Sequence, residues 1–447
     1  MRISMRRQIW FSVILLAAAP AWPQAESDST TNMEQRMVVP PPVSSGAYSI
    51  VLDSEERSNY LRYGLTFGSA YSDNVLGATT GHPVSDLSYS LWPTIGLDRT
   101  SARLHWDLSY SPGFTFYQRT TYRNEADQNA LINIRYRPTP HVTLSARDTL
   151  QKSSNIFNNP NLATSESTSG GAQLPNLSVI APLGDRLSNY GGVGMTYQYS
   201  ANDLVGSEGS FGNLHYGSGN EVNGLSDEGA QGGSAFYSHR VSKENYVGAA
   251  YQYQRLLSYP SGLTNETQTH AVLGFYTVYP SQRLSLSFFG GPQYVDTTQP
   301  AIASGSLPAY SAVTWVPSAG ASMHWQGHFT SAALSYAHVI SGGGGLTGAV
   351  RLDQVSALMR LQFSRTLRGS IAGAYANNNL LGPSLSNNGH TFSATAALQR
   401  DLGEHLRLEV GYMRLHQSYN IPLFAAVPDT NREFISISYD FARPLGR

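Results

Sequence analysis

Arg103-Leu104-His105-Trp106-Asp107-Leu108-Ser109-Tyr110 is the stretch on which the fold turns. Leu104, Trp106, Leu108 and Tyr110 are apolar, and His105, Asp107 and Ser109 between them are polar. A strand sends successive side chains to opposite faces, so this segment has one greasy face and one wet face. The chain closes on the same rhythm, with Ile435, Ile437, Tyr439 and Phe441 interleaved by Ser436, Ser438 and Asp440. A soluble sandwich packs the greasy face inward. A transmembrane barrel turns it to lipid and lines its lumen with the wet face.

Composition favours the barrel. Only 13% of the 447 residues are charged, against about a quarter in ordinary globular proteins. Glycine (42) and tyrosine (27) are abundant. Arg2, Arg6 and Arg7 precede the short apolar run Ile9–Ala21, the pattern of a secretory signal peptide over residues 1–25, with cleavage after Ala21 or Ala25 both fitting. No later apolar run reaches about 18 residues, so no spanning helix is expected. The absence of cysteine excludes a lipid-attachment cysteine, a disulfide framework and a thiolate metal site. A net charge of −1 without a basic cluster gives no case for nucleic acid.

Residues 26–58 are polar and proline-bearing, with little periodicity, and read as a flexible periplasmic lead-in. A barrel is expected over residues 59–442, followed by a short tail at 443–447. Strand-like segments run from Tyr60–Tyr71 to Arg432–Phe441 and number about eighteen, within the range of bacterial barrels. Leu204–His215 and Glu228–His239 are diluted by glycine and serine, which leaves about sixteen open as well. Tight connections such as Asp98–Ser101, Arg137–Pro140 and Arg400–Glu404 alternate with longer ones such as Ser72–Asp86 and Lys152–Arg186. This is the pattern of short periplasmic turns and long outer loops. The expected fold is therefore all-β: a transmembrane, antiparallel, up-and-down β-barrel.

Odd–even bookkeeping assigns the walls. Leu61, Tyr63, Leu65 and Phe67, and likewise Leu406, Leu408, Val410 and Tyr412, are expected to meet lipid. Tyr136, Trp325, Phe363 and Phe441 near the tight turns, and Tyr71, Tyr253, Tyr375 and Tyr419 near the loops, read as two interfacial girdles. The pore-lining candidates are Arg62, His105, Asp107, Asn133, Arg135, Arg147, Arg360, Arg368, Arg407, Glu409 and Asp440. Charges cannot sit in hydrocarbon, where a mid-depth arginine costs about 2–4 kcal/mol. They must face water or one another. Six arginines against three acids in this list point to a mild anion preference, unless the two signs pair.

No catalytic constellation stands out. His215, His239 and His270 lack metal-ligand spacing, and no cofactor is implied. Gly342–Gly345 is a four-glycine run without the lysine of a phosphate loop, and reads as a mobile outer loop. The long connection Lys152–Arg186 carries apolar residues from Ile156 to Leu183, so part of it either folds inward over the mouth or extends outward. The termini supply no recognisable plug.

Tyr71-Ser72-Asp73-Asn74-Val75, the long amphipathic hairpins with Ser/Asn-rich loops and the aromatic-rich final strand carry a resemblance. The chain resembles a loosely defined group of outer-membrane β-barrel porins, some of which accompany exopolysaccharide biosynthesis and export. The resemblance implies an outer-membrane location in lipid, delivery by the barrel-assembly machinery, and small hydrophilic solutes as the passengers. It leaves homo-oligomerisation open. In such barrels the chain often ends on an aromatic residue, whereas here Ala442–Arg447 follow Phe441. The expected function is passive passage of solutes. The alternatives are a component of exopolysaccharide export or surface assembly, and a structural or adhesive barrel whose role lies in its loops.

Overall fold

The computed structural model describes residues 37, 59–77, 83–153, 185–217, 225–260, 263–300, 309–382, 388–419 and 429–445. The expected signal peptide, the central part of the Lys152–Arg186 connection and, Met37 excepted, the lead-in segment 26–58 lie outside them.

Eighteen strands form one sheet. The first nine are β1 (Asn59–Ser72), β2 (Asp86–Thr100), β3 (Leu104–Tyr117), β4 (Glu125–Thr139), β5 (Val142–Ser153), β6 (Arg186–Gln198), β7 (Asp203–Tyr216), β8 (Asp227–Arg240) and β9 (Asn245–Tyr259). The rest are β10 (Asn265–Ser281), β11 (Leu284–Gln299), β12 (Tyr310–Gln326), β13 (Thr330–Ser341), β14 (Val350–Gln362), β15 (Leu367–Leu380), β16 (Gly389–Asp401), β17 (Leu406–Tyr419) and β18 (Asp429–Pro444). Each pairs antiparallel with its sequence neighbours, and β18 returns to β1 from Tyr60↔Pro444 to Ser72↔Arg432. Closure leaves no open edge, as a sheet in lipid requires. The glycine-diluted β7 and β8 are both present, which settles the strand number at eighteen.

Connections of two to four residues alternate with longer ones of five to thirty-two. The outer face is apolar and exposed. Val272 is 58% exposed while Leu273, one residue on and facing inward, is 2% exposed. Leu65, Ile95, Phe114, Phe211, Phe288, Ile371, Leu398 and Ile437 continue the exposed belt around the barrel. Near the loops the outer face turns polar, with Arg255–Glu266 at 2.8 Å and His338–Asp353 at 2.5 Å. A middle apolar belt with polar ends is the surface a bilayer solvates. Tyr71, Tyr136, Trp325, Phe363, Tyr375 and Phe441 are exposed, as girdle residues should be. Tyr419 is not one of them. It faces inward, is buried, and accepts a hydrogen bond from Asn378 Nδ2 on its hydroxyl. Its odd position on β17 places it on the same face as Arg407 and Glu409.

The inner wall explains much of the glycine. Trp92, Phe236, Phe275, Phe289, Tyr419 and Phe434 lie over the glycines opposite them on the neighbouring strands: Gly113, Gly206, Gly248, Gly320, Gly389 and Gly411. A Cβ at any of these glycines would come within 2.1–2.4 Å of the ring. The missing side chain is the seat of the aromatic one.

One hairpin leaves the wall. β13 pairs with β12 only from Gln326↔Ser331 to Ala319↔His338, but with β14 up to Ser341↔Val350. Pairing with β12 stops two residues before Pro317, which cannot donate to a ladder. Freed from β12, the tip of the β13–β14 hairpin turns inward. Val339, Ile340, Leu346, Ala349 and Val350 are all buried. The glycine run expected to be a mobile outer loop is thus a packed element within the barrel.

Candidate functional site

By strand register the eleven residues Arg62, His105, Asp107, Asn133, Arg135, Arg147, Arg360, Arg368, Arg407, Glu409 and Asp440 share one face of the sheet, the face opposite the exposed apolar belt. They sit on β14, β15, β17, β18, β1, β3, β4 and β5, so they form an arc of the wall rather than a full ring. Each lies at or below the middle of its strand on the tight-turn side, which places the arc in the half of the barrel nearest those turns.

The structure brings several of them together through acids that sequence periodicity had assigned elsewhere. Arg62 Nη2 is 3.4 Å from Asp98 Oδ2, and His105 Nδ1 is 3.9 Å from the other Asp98 oxygen. Asp401 lies between Arg368 at 3.0 Å and Arg407 at 3.5 Å, and Arg407 also reaches Asp440 at 3.6 Å. Arg147 meets Glu208 at 3.0 Å, hydrogen-bonds the Tyr190 hydroxyl at 3.2 Å and lies over that ring. Asn133 stands opposite both Asp107 and Arg147, and Arg135 opposite His105. Glu409 stands opposite Gln399, and Arg360 opposite Ser370.

Asp401 was missed because it ends β16, and Asp98 because it lies two residues before the end of β2, where the pattern blends into a turn. Glu208 was missed because glycine surrounds it. With them the arc holds arginines 62, 135, 147, 360, 368 and 407 facing acids 98, 107, 208, 401, 409 and 440, six of each sign. Of the six arginines, Arg62, Arg147, Arg368 and Arg407 are paired with acids, which weakens the basis for an anion preference.

The second feature is the inturned segment Gly342–Ala349. Glu228 Oε1 on β8 accepts the backbone N–H of Gly345 at 2.8 Å, with Gly344 and Gly343 also donating to that carboxyl. The Tyr216 hydroxyl of β7 donates to Gly344 O at 2.7 Å, and Ser226 N to Gly345 O at 2.7 Å. Asn265 Nδ2 on β10 donates to Thr347 O. Leu346 packs with Val339, Val350, Leu352, Ala376 and Tyr419, while Ile340 and Ala349 pack with Leu256 and Val295. The segment therefore spans the interior from β13–β14 to β7–β10.

Its glycines are obligatory. Gly344 and Gly345 have φ of 67° and 108°, a region L-residues avoid. A Cβ on Gly345 would also fall 2.7 Å from the Tyr216 ring, and one on Gly343 only 2.4 Å from Gly348 O. A cavity of about 30 Å³ between this segment and the wall, lined by Glu228, Gln254 and Asn265, has room for a water molecule.

No protein-family model matches the chain, and no curated protein sequence matches it. Among solved structures it is similar to Pseudomonas aeruginosa OpdQ, at 10% identity and a TM-score of 0.42, over 87% of this chain and 100% of that one. It is similar to Acinetobacter baumannii OccAB1 at 12% identity and a TM-score of 0.41, over 89% of this chain and 99% of that one. A third similar structure is the ferric citrate transporter FecA, at 9% identity and a TM-score of 0.41 over 80% of this chain, which spans 60% of FecA's length. The fold is that of an outer-membrane β-barrel. A closed eighteen-stranded sheet, an apolar belt outside and sorted loop lengths are together the properties of that class.

Proposed function

We propose that this barrel is a passive pore for small hydrophilic solutes across the outer membrane. A wall of eighteen strands is too wide for its own side chains to fill. The observation that carries the reading is the pairing of a charged arc on one face of the wall with an ordered segment anchored inside the barrel. A solute entering from the loop side meets Gly342–Ala349 first and is sorted by size. It then passes the arc of six arginines and six acids, where polar groups replace its hydration and the balanced signs hold selectivity low. The reading needs no turnover chemistry. Purified protein in a planar bilayer should give discrete conductance steps that scale with salt. Absence of steps from correctly folded protein would overturn the reading.

A further inference from the structure

The inner wall near the tight turns carries a patch that a water-filled pore has no reason to keep. Leu204 on β7, Phe236 on β8, Tyr246 and Ala250 on β9 and Phe275 on β10 all face inward there and are buried. Apolar groups in a lumen stay buried only if something covers them. The residue in that cluster that belongs to no strand is Met37. Its side chain is 9% exposed, and its backbone N–H donates to Gln198 Oε1 at the end of β6, 3.1 Å away.

The position of Met37 in the chain makes this consequential. The first strand begins at Asn59, on β1, and in the closed order β10 lies nine strands from β1 in either direction. Met37 is therefore seated on the wall opposite the strand it leads into. An eighteen-stranded barrel is about 35 Å across, and the 22 links between residues 37 and 59 can span about 75 Å. The link is long enough, and both of its ends are at the tight-turn rim.

We propose that the aromatic pocket formed by Leu204, Phe236, Tyr246, Ala250 and Phe275 is a docking site for the chain's own N-terminal arm, with Met37 as the side chain it holds. Methionine suits the role, because an unbranched thioether fills an irregular aromatic cleft. The docking itself stands apart from the pore reading.

The chain has no cysteine, so introduced thiols report without background. In the full-length protein folded in liposomes, M37C/A250C should form a disulfide under mild oxidation, and M37C/S438C, on the opposite wall, should not. In a single A250C variant, a water-soluble maleimide should label slowly. Adding M37D, which lies outside every strand, should speed labelling about tenfold or more, the ratio expected when one buried apolar side chain is released. Equal cross-linking of both pairs, or A250C labelling indifferent to M37D, would overturn the docking. If the labelling shift appears while neither protein conducts, the docking stands and the pore reading falls.

Discussion

Glu228 and Gly345 are 117 residues apart in sequence, yet the carboxylate of one accepts the backbone N–H of the other at 2.8 Å inside the barrel. The bond fixes the inturned hairpin to the wall that faces it. A carboxylate hydrogen bond of this kind contributes about 1.5–3 kcal/mol, and losing it leaves buried N–H groups without a partner. E228A should therefore release Gly342–Ala349, raising single-channel conductance and its noise, while E228Q keeps an acceptor and changes both less. Removing residues 343–348 should give the upper limit of the effect. Conductance equal to wild type in a folded E228A barrel would show that the segment does not narrow the path.

Asp401 is the acid shared by Arg368 and Arg407. D401N leaves two guanidiniums facing water in the same zone, with Asp440 still near one of them. Reversal potential under a salt gradient should be small for wild type and should move toward anion preference in D401N. Folding stability should barely change, because exposed pairs of this kind contribute about 0–1 kcal/mol. A shift toward cations would contradict the charge balance described for the arc.

Arg407 and Leu408 test the register of the final hairpin. Arg407 faces Asp401 across the lumen wall and Leu408 faces outward beside Ile437. A membrane-impermeant thiol reagent should label R407C in proteoliposomes and spare L408C. The opposite result would require a one-residue slip, which swaps every face.

Gly113 and Trp92 test the glycine seats. A methyl group at position 113 would sit 2.4–2.6 Å from the indole, and Trp92 is only 2% exposed, so the ring has nowhere to go. G113A should cost about 1–3 kcal/mol, the usual penalty of overpacking. G209A, where nothing lies within 4 Å, should change stability by less than about 0.5 kcal/mol. Urea midpoints of the folded barrels in detergent would separate the two.

The barrel itself was legible in the sequence because its cause is local. Alternation fixes which face each residue takes, and loop length fixes which end of the barrel it is near. Both can be read along the chain without knowing its partners, so parity alone sorts Leu406, Leu408, Val410 and Tyr412 from Arg407 and Glu409 onto opposite faces of β17. The glycine-diluted β7 and β8 are harder to read, since the role of Gly206 shows only once pairing sets it opposite Phe236.

What only the tertiary structure decided depends on residues that meet once the strands pair and the sheet closes. Asp98, Asp401 and Glu208 matter because of the arginines on neighbouring strands. Gly342–Gly345 looks like loose loop until Glu228 and Tyr216 supply the partners for its backbone. Met37 has no periodicity at all, and its place is set by aromatic rings on four strands far along the chain. The period of a strand is a property of one segment, whereas the narrowing of a pore belongs to surfaces that touch only after the sheet has closed. For this reason the alternation determined the wall, and closure alone determined what stands inside it.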